Sequence, residues 1–364
     1  MINLMKPYVP KEAIEAASEV LRSGYIAQGD KVDKFEKIFM NRFNVQHAVS
    51  VNSGTSALEM AYELIGIKPG DEVISTPLTC LATNLPLLKM GAKIIWADIL
   101  EDTLCIDPKD VRRKITNKTK AIVQVHLEGL MANVGSSAND FNDDGLPDHI
   151  PVVSDASQSL GIFGGDYTIC SFQAVKHITT IEGGMLICPN EDIERKARLM
   201  RWYGIDRSQR VKNEFHNYKS RKMTFDVELV GYKKNFNDVS AAMGIVGLSK
   251  YDDIIDHRRR LFRIYARELA GCPGIRILDC HGNVYGLCTA LVDRRDDFAK
   301  KMFENEIDTN LVHLRNDSNI IFGGKRADLP VLNELEDKYT YLPLGMHVSE
   351  DEVLKICETI IEGW

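Results

Sequence analysis

The sequence predicts an α/β protein in which a large domain with a mostly parallel sheet precedes a smaller α+β domain. Its 364 residues exceed what one small core needs. In the first two thirds, short β-rich apolar runs alternate with helical patterns, which is typical of a parallel sheet covered on both faces. Near residue 237 a long helical segment begins and leads to further strand and helix patterns.

The elements follow in chain order. VPKEAIEAASEVLRSG predicts an amphipathic helix that ends at Gly24, VDKFEKIFMNRF predicts a second helix, and NSGTSALEMAYELIGI opens with turn residues and continues as a third. The predicted strands are DEVIST, AKIIWAD, KAIVQV, IPVVSD and YTICSF, and the smaller domain would contain GIRIL, LCTALV and the helix SEDEVLKICETIIEGW. We therefore expect the large domain at residues 1–245 and the small domain at residues 246–364.

Composition argues against several classes of protein. The net charge of −7 and the lack of a basic run argue against nucleic acid or an acidic membrane surface as the main partner. No apolar segment is long enough to span a bilayer, and the amino terminus lacks the apolar region of a secretory signal. The eight cysteines form no CxxC pair and no zinc-ligand spacing, so we expect a cytoplasmic protein without a metal site.

The stretch NSGTSAL places Ser53, Gly54 and Thr55 where a loop becomes a helix. The start of a helix offers free N–H groups and the positive end of a dipole, which can hold a phosphate. Serine and threonine are also common helix caps, and taken alone this second interpretation is favoured.

Asp155 follows the apolar run IPVVS in the segment VVSDASQSLG. Ligands of α/β proteins bind at the carboxyl ends of the strands, and a buried carboxylate there needs a cationic or hydrogen-bonding partner. A turn cap explains this residue slightly better when it is considered by itself.

Lys176 stands shortly after another apolar run, in SFQAVKHITTIEGG. A lysine beside a buried strand is costly unless it is paired or used chemically, for example to form a Schiff base with a carbonyl. The alternative is a lysine whose stem is buried and whose amine reaches solvent.

The order of the three segments is more informative than any one of them. A helix start that can hold phosphate, a strand-end Asp-x-x-Gln and a Ser-Phe-x-x-x-Lys match the needs of pyridoxal phosphate. That cofactor has a phosphate, a ring nitrogen that attracts an anion, a phenolic oxygen and an aldehyde that reacts with lysine.

Nearly the whole chain resembles the DegT/DnrJ/EryC1/StrS family of sugar aminotransferases. The matching segments, in family order, are SGYIAQGDKVDKFEKIF, VNSGTSALEMA, GDEVISTPLTCLATNLPLLKMGAKIIWADI, ITNKTKAIVQVHLEG, VVSDASQSLG, SFQAVKHITTIEGG, RWYGI, GYKKNFNDVSAAMG and YLPLGMHVSEDEV. The resemblance implies the fold of type I pyridoxal-phosphate-dependent transferases.

The resemblance also implies roles for individual residues. Those it assigns to the cofactor are Ser53, Gly54, Thr55, Cys80, Asp155, Gln158, Ser171, Lys176, Lys233 and Asn235. Lys176 would bond the cofactor covalently, Asp155 would pair with the ring nitrogen, and Gln158 would lie on the side of the phenolic oxygen. Asn235, or alternatively Lys233, would reach the phosphate of the neighbouring subunit, which implies a homodimer with shared sites.

Four positions depart from the family pattern. Cys80 stands where an aromatic residue usually covers the ring, Glu128 where tyrosine or glycine is common, and Ile181 replaces a glycine. The segment VHLRND, residues 312–317, replaces the usual HYxPLH.

The resemblance makes Tyr25, His313 and Arg315 candidate substrate contacts. A guanidinium suits a diphosphate. An exposed arginine in a salt bridge is an equally good interpretation of Arg315.

The implied reaction is the transfer of an amino group from an amino acid, by resemblance L-glutamate, to a nucleotide-linked keto-sugar. The product would be an amino sugar for surface polysaccharide or secondary metabolites. A sugar dehydratase of the same fold is one alternative, since such relatives replace the lysine by histidine and His177 follows Lys176. The other alternative is a non-catalytic regulator that binds the cofactor.

Two further patterns are weaker. DFNDDG, residues 140–145, resembles the start of a calcium loop, but Pro151 occupies the position of the final acidic ligand. The group Cys280, His281 and Cys288 lacks a fourth metal ligand at useful spacing.

Overall fold

The computed structural model describes residues 1–134, 149–206 and 227–364, so the DFNDDG loop lies outside the described residues. The helices within these ranges are α1 Lys11–Ser23, α2 Asp30–Phe43, α3 Gly54–Ile65, α4 Leu81–Lys89, α5 Pro108–Lys114, α6 Glu191–Met200, α7 Asp238–Ser249, α8 Tyr251–Glu268, α9 Arg295–Glu304, α10 Pro330–Leu335 and α11 Glu350–Ile361. The strands are β1 Ala48–Val51, β2 Glu72–Ser75, β3 Lys93–Trp96, β4 Thr119–Val125, β5 Val152–Asp155, β6 Tyr167–Ser171, β7 Gly184–Ile187, β8 Ile275–Ile277, β9 Cys288–Val292 and β10 Tyr339–Leu342.

The larger sheet has the order β1-β7-β6-β5-β4-β2-β3 in the part of the chain that the structure describes. Neighbours from β6 to β3 pair in parallel, whereas β7 is antiparallel to both β6 and β1. Because β1 and β6 both oppose β7, they run in the same direction. The carboxyl ends of all the strands except β7 therefore meet at one edge, and the predicted fold class is confirmed.

Helix α3 covers this sheet with an apolar face. Ala57, Leu58, Ala61 and Tyr62 are spaced as one side of a helix and are fully buried against strand residues such as Val51. This packing fixes the start of α3 just beyond the carboxyl end of β1.

The smaller sheet is antiparallel, with the order β10-β9-β8, and α8 packs with α11 beside it. Phe262, Tyr265 and Ile356 lie in the core at this place. Ile2 also belongs to that core and bridges Ile307, although we assigned the amino-terminal segment to the large domain. The boundary that we proposed at residues 245 and 246 falls inside α7.

The long helical segment predicted from residue 237 is two helices. Lys250, between α7 and α8, has φ −99° and ψ 0°, outside the helical range. Within the described ranges, no helix is long and apolar enough to cross a membrane.

Candidate active site

Three of the predicted segments meet at the carboxyl edge of the larger sheet. Asp155 is the last residue of β5 and Ser171 the last residue of β6. Gly184, the first residue of β7, pairs with Ser171 on one side and with Val51 at the end of β1 on the other. This register brings the start of α3 beside the ends of β5 and β6.

The start of α3 offers unused backbone donors. The Ser53 Oγ accepts a hydrogen bond from the Ser56 N–H at 3.0 Å, so Ser53 is the helix cap that the alternative interpretation expected. Hydrogen bonds among the described residues do not use the N–H groups of Gly54 and Thr55. These two donors, at the positive end of α3, suit a phosphate group.

Two hydroxyl groups flank Gly54. A Cβ placed on Gly54 would lie 3.1 Å from the Cβ of Ser171 and 3.2 Å from the Oγ of Ser157. Ser171 was among the predicted residues, whereas Ser157 was missed, although it stands between Asp155 and Gln158 in the sequence. A glycine at position 54 thus keeps open the space between the helix start and both hydroxyls.

The carboxylate of Asp155 is 3% exposed and accepts two hydrogen bonds. The Thr83 Oγ1 donates to Oδ2 at 2.8 Å, and the Ser157 N–H donates to Oδ1 at 3.0 Å. The hydroxyl of Thr79 lies 2.9 Å from that of Thr83. The bond from Ser157 also makes Asp155 the turn cap of the alternative interpretation.

Lys176 lies on the loop between β6 and β7. The loop is closed where the Phe172 N–H donates to the Gly183 carbonyl and the Thr180 N–H donates to the Phe172 carbonyl, both at 2.9 Å. Lys176 is half-buried and lines a cavity with Gln158. The loop therefore presents the lysine to the same cavity as the residue predicted to flank the cofactor ring.

His177 has a different environment from Lys176. Its Nε2 donates to the Val284 carbonyl at 2.8 Å, and burial lowers its pKa to about 3, with the nearby Arg258 charge as a smaller cause. The imidazole is thus neutral and used as a fixed contact to the carboxyl-terminal part of the chain, so it does not replace Lys176.

The segment that carries Cys80 touches the segment that contains VHLRND. Cys80 is half-buried at the cap position of α4 and makes no capping hydrogen bond with its side chain. The Asn316 N–H donates to the Pro77 carbonyl, and the Asn316 Nδ2 donates to the Thr79 carbonyl, both at 2.7 Å. Two sequence departures therefore form one wall of the structure.

Arg315 is engaged with protein partners. Its Nε and one terminal nitrogen donate to the two oxygens of Asp317, at 2.7 and 2.6 Å. Its other terminal nitrogen donates to Glu336 and to Asn333, both at 2.6 Å. Since the residue is also 6% exposed, this network favours the salt-bridge interpretation, but with a buried rather than an exposed arginine.

The other two candidate substrate contacts differ in exposure. His313 has its Nε2 3.5 Å from the Oε1 of Glu128, and both side chains are almost buried. Tyr25 is 85% exposed on the loop after α1. Tyr25 thus has no position in the cavity of this single chain, where Lys176 and Glu128 lie.

The GYKKN segment lies beside the start of α3 of its own chain. Asn235 bridges Val51, and the Asn52 N–H donates to the Lys234 carbonyl at 2.9 Å. Lys233 is exposed and its amine lies 5.7 Å from the centre of the Trp202 ring. The predicted contact of Asn235 or Lys233 with a partner's phosphate stays a prediction.

Comparison with known proteins gives a consistent result. The sequence model of the DegT/DnrJ/EryC1/StrS aminotransferase family matches residues 7–361. The chain is 32% identical over 374 residues to the spore coat polysaccharide biosynthesis protein SpsC of Bacillus subtilis (strain 168), covering 97% of this chain and 95% of SpsC. Among solved structures, sugar aminotransferase CalS13 from Micromonospora echinospora is 30% identical with a TM-score of 0.89 and full coverage of both chains. Spr1654 from Streptococcus pneumoniae, solved in its PLP form, shares the fold at 24% identity and a TM-score of 0.86, covering 98% of this chain and 97% of Spr1654.

Proposed function

Because this chain belongs to the DegT/DnrJ/EryC1/StrS aminotransferase family, we propose that it moves an amino group from L-glutamate to a nucleotide-linked keto-sugar. Its cofactor is pyridoxal 5'-phosphate, on which this family depends. The observation that carries the proposal is the meeting, at one sheet edge, of an open helix start, a buried carboxylate and a loop lysine. The product is an amino sugar for surface polysaccharide or secondary metabolites.

The residues present fit this cofactor. The free N–H groups of Gly54 and Thr55, with the hydroxyls of Ser157 and Ser171 close by, suit its phosphate. The buried carboxylate of Asp155 suits a protonated ring nitrogen. Bound pyridoxal phosphate supplies an electron sink for the carbon that loses a proton.

The side chains of this protein then have distinct tasks. The amine of Lys176 would take the proton from the α-carbon of the amino donor as a general base, and would deliver it as a general acid to the cofactor carbon that carried the aldehyde. The carboxylate of Asp155 would face the protonated ring nitrogen, and its bonds from Thr83 and Ser157 fix the orientation of this carboxylate. Gln158 is held at the cavity wall because its Oε1 accepts the Glu128 N–H at 3.2 Å.

The nature of the substrate rests on two kinds of support. SpsC is named for polysaccharide biosynthesis and CalS13 is named a sugar aminotransferase, which supports a sugar acceptor. Lys6 and Arg258 line the cavity with Lys176. Burial lowers the pKa of Arg258 to about 10, so it stays charged at neutral pH, and two cations suit an anionic substrate such as a nucleoside diphosphate.

We further propose a cytoplasmic homodimer with composite sites. Tyr203, Val230 and Tyr232 are exposed and adjacent, since the Tyr203 N–H donates to the Tyr232 carbonyl. An exposed apolar patch beside the site is typical of an interface between subunits. Free thiols at all eight cysteines agree with a reducing compartment.

The rival functions have less support. A dehydratase would need a histidine in place of Lys176, and His177 is instead buried against the Val284 carbonyl. A regulator that only binds the cofactor could have the same site but would not convert substrate. An assay of conversion therefore distinguishes the enzyme from the regulator.

The test is the absorbance of the loaded protein when L-glutamate is added. We expect conversion of the pyridoxal to the pyridoxamine form, followed by reversal when a panel of nucleotide-linked keto-sugars is supplied. Lys176→Ala should lose both the conversion and the cofactor link that borohydride traps, whereas Lys118→Ala, at an exposed lysine, should retain both. A wild-type spectrum that glutamate leaves unchanged would identify a pure binder, and a Lys176→Ala variant near the wild-type rate would refute the role of Lys176.

A further inference from the structure

Glu128 adopts a backbone conformation that side chains rarely take. Its φ of 47° and ψ of 36° lie in the left-handed region, which glycine occupies without strain. The backbone is held there from both sides, since the Glu128 N–H donates to the Gln158 Oε1 and the Glu128 carbonyl accepts from the Leu287 N–H, both at 3.2 Å. A glutamate is therefore kept at a position where glycine would be less strained.

The carboxylate of Glu128 has unused capacity for hydrogen bonds. Its side chain is 8% exposed, and among the described residues its partner is His313, whose Nε2 is 3.5 Å from the Oε1. That distance is too long for a good hydrogen bond, and the buried His313 Nε2 makes no hydrogen bond with described residues. Buried carboxylates normally accept several hydrogen bonds, so this arrangement is incomplete without a further donor.

Glu128 lies at the candidate reaction site. Glu128 lines the same cavity as Lys176, Gln158 and Arg258. Glu128 opposes part of the effect of burial on the pKa of Arg258, so the carboxylate and this guanidinium at the same cavity attract each other. The missing donor would therefore come from a molecule that stands beside Lys176.

We propose that Glu128 is a specificity-determining residue that accepts a hydrogen bond from a hydroxyl group of the acceptor sugar. His313, buried behind the carboxylate, is a positioning residue that orients it. The amino donor does not use this contact, because L-glutamate has no hydroxyl group to donate to the carboxylate. This inference rests on the proposed function and adds to it a residue that selects the acceptor.

The test measures the reaction with L-glutamate and the reaction with the keto-sugar separately. Glu128→Gly removes the carboxylate and relieves the positive φ, so the variant should fold. We expect single-turnover conversion with L-glutamate within about threefold of wild type. With UDP- or TDP-linked 4-keto-6-deoxyglucose, kcat/KM should fall about 10- to 100-fold, the range for a hydrogen bond to a charged group.

Acceptor analogues that lack the C2 or the C3 hydroxyl identify the group that is recognised. With the wild-type protein, kcat/KM for one of these analogues should be at least tenfold lower than for the intact acceptor. With Glu128→Gly, the same analogue and the intact acceptor should react with similar kcat/KM. His313→Gln should also reduce the preference for the intact acceptor over that analogue. Combining His313→Gln with Glu128→Gly should reduce this preference little further. Glu350→Gln, at an exposed glutamate, should keep the wild-type preference.

The following results would overturn the inference. Equal losses for every analogue with wild type and Glu128→Gly would show that Glu128 recognises no hydroxyl. A variant that loses the glutamate half-reaction as well would show a structural role instead. A wild-type protein that reacts with glutamate but aminates no sugar of the panel would refute the acceptor class, and with it this inference, whereas no reaction with glutamate would refute aminotransfer itself.

Discussion

Replacing Arg315 by alanine separates the two interpretations of that residue. Arg315 was a candidate contact to a nucleotide sugar, and the structure ties its guanidinium to Asp317, Glu336 and Asn333 at 2.6–2.7 Å. Glu336 is also paired with Lys325, but Asp317 is 0% exposed and, among the described residues, accepts two of its three hydrogen bonds from Arg315. The substitution would leave Asp317 with one remaining donor, the Arg326 N–H at 2.8 Å.

The expected loss of unfolding free energy is about 3–5 kcal/mol, the cost of removing one member of a buried ion pair. The loss arises because Asp317 would stay buried without the guanidinium, with the Arg326 N–H as its one remaining donor among the described residues.

The assay is equilibrium unfolding in urea, followed by far-ultraviolet circular dichroism. Arg276→Ala is the matched control, because Arg276 pairs with Asp102 at 2.7 Å and Glu101 at 2.6 Å but is 44% exposed. Exposed pairs contribute about 0–1 kcal/mol, so this control should unfold almost as wild type does. An Arg315→Ala variant that keeps wild-type stability and raises KM for the sugar would refute the structural interpretation and restore the substrate contact.

Two further predictions concern the cofactor site. Asp155→Asn keeps the shape of the buried side chain, so cofactor should still bind, while single-turnover conversion with L-glutamate should fall at least about a hundredfold, or roughly 3 kcal/mol; a change of only a few-fold would leave Asp155 as a turn cap. Mixing Lys176→Ala chains with chains that carry Asn235→Ala and Lys233→Ala should restore part of the activity through heterodimers, and a fully active monomer in solution would contradict the composite site.

The sequence was sufficient to predict the location of residues that stand at or just after the carboxyl end of a strand. Asp155 and Lys176 follow apolar runs, and the parallel order of the strands puts such positions on one edge. The strands β1 and β7 were not predicted, although strands of the same length such as β2 and β5 were, because a run of four residues is too short for its pattern to be decisive. Gly184 of β7 nevertheless pairs with Val51 of β1 and with Ser171 of β6, and this pairing brings the start of α3 to the site.

Residues that act through a partner distant in sequence could not be predicted. Thr83 reaches Asp155 from α4, and no local pattern marks a threonine that bonds a carboxylate on another element. For Arg315, residue type alone suggested a diphosphate contact, whereas its partners Asp317, two residues on, and Glu336 decide its environment. Side-chain networks of this kind depend on tertiary geometry, which the hydrophobic periodicity of the sequence and the order of its motifs do not specify.

The departures at Glu128 and at VHLRND appear as separate oddities in the sequence but as one feature in space. The Oε1 of Glu128 and the Nε2 of His313 lie 3.5 Å apart, and Arg315 anchors the segment that carries the histidine through buried bonds to Asp317. A carboxylate at position 128 would be costly without a polar neighbour behind it, so each change makes the other tolerable. Lys176 and Asp155 lie on the larger sheet and its loops, outside this altered wall. On the proposed function, we therefore expect a chain that keeps Lys176 and Asp155 but alters positions 128 and 312–317 to retain amino transfer and to differ in the acceptor that it admits.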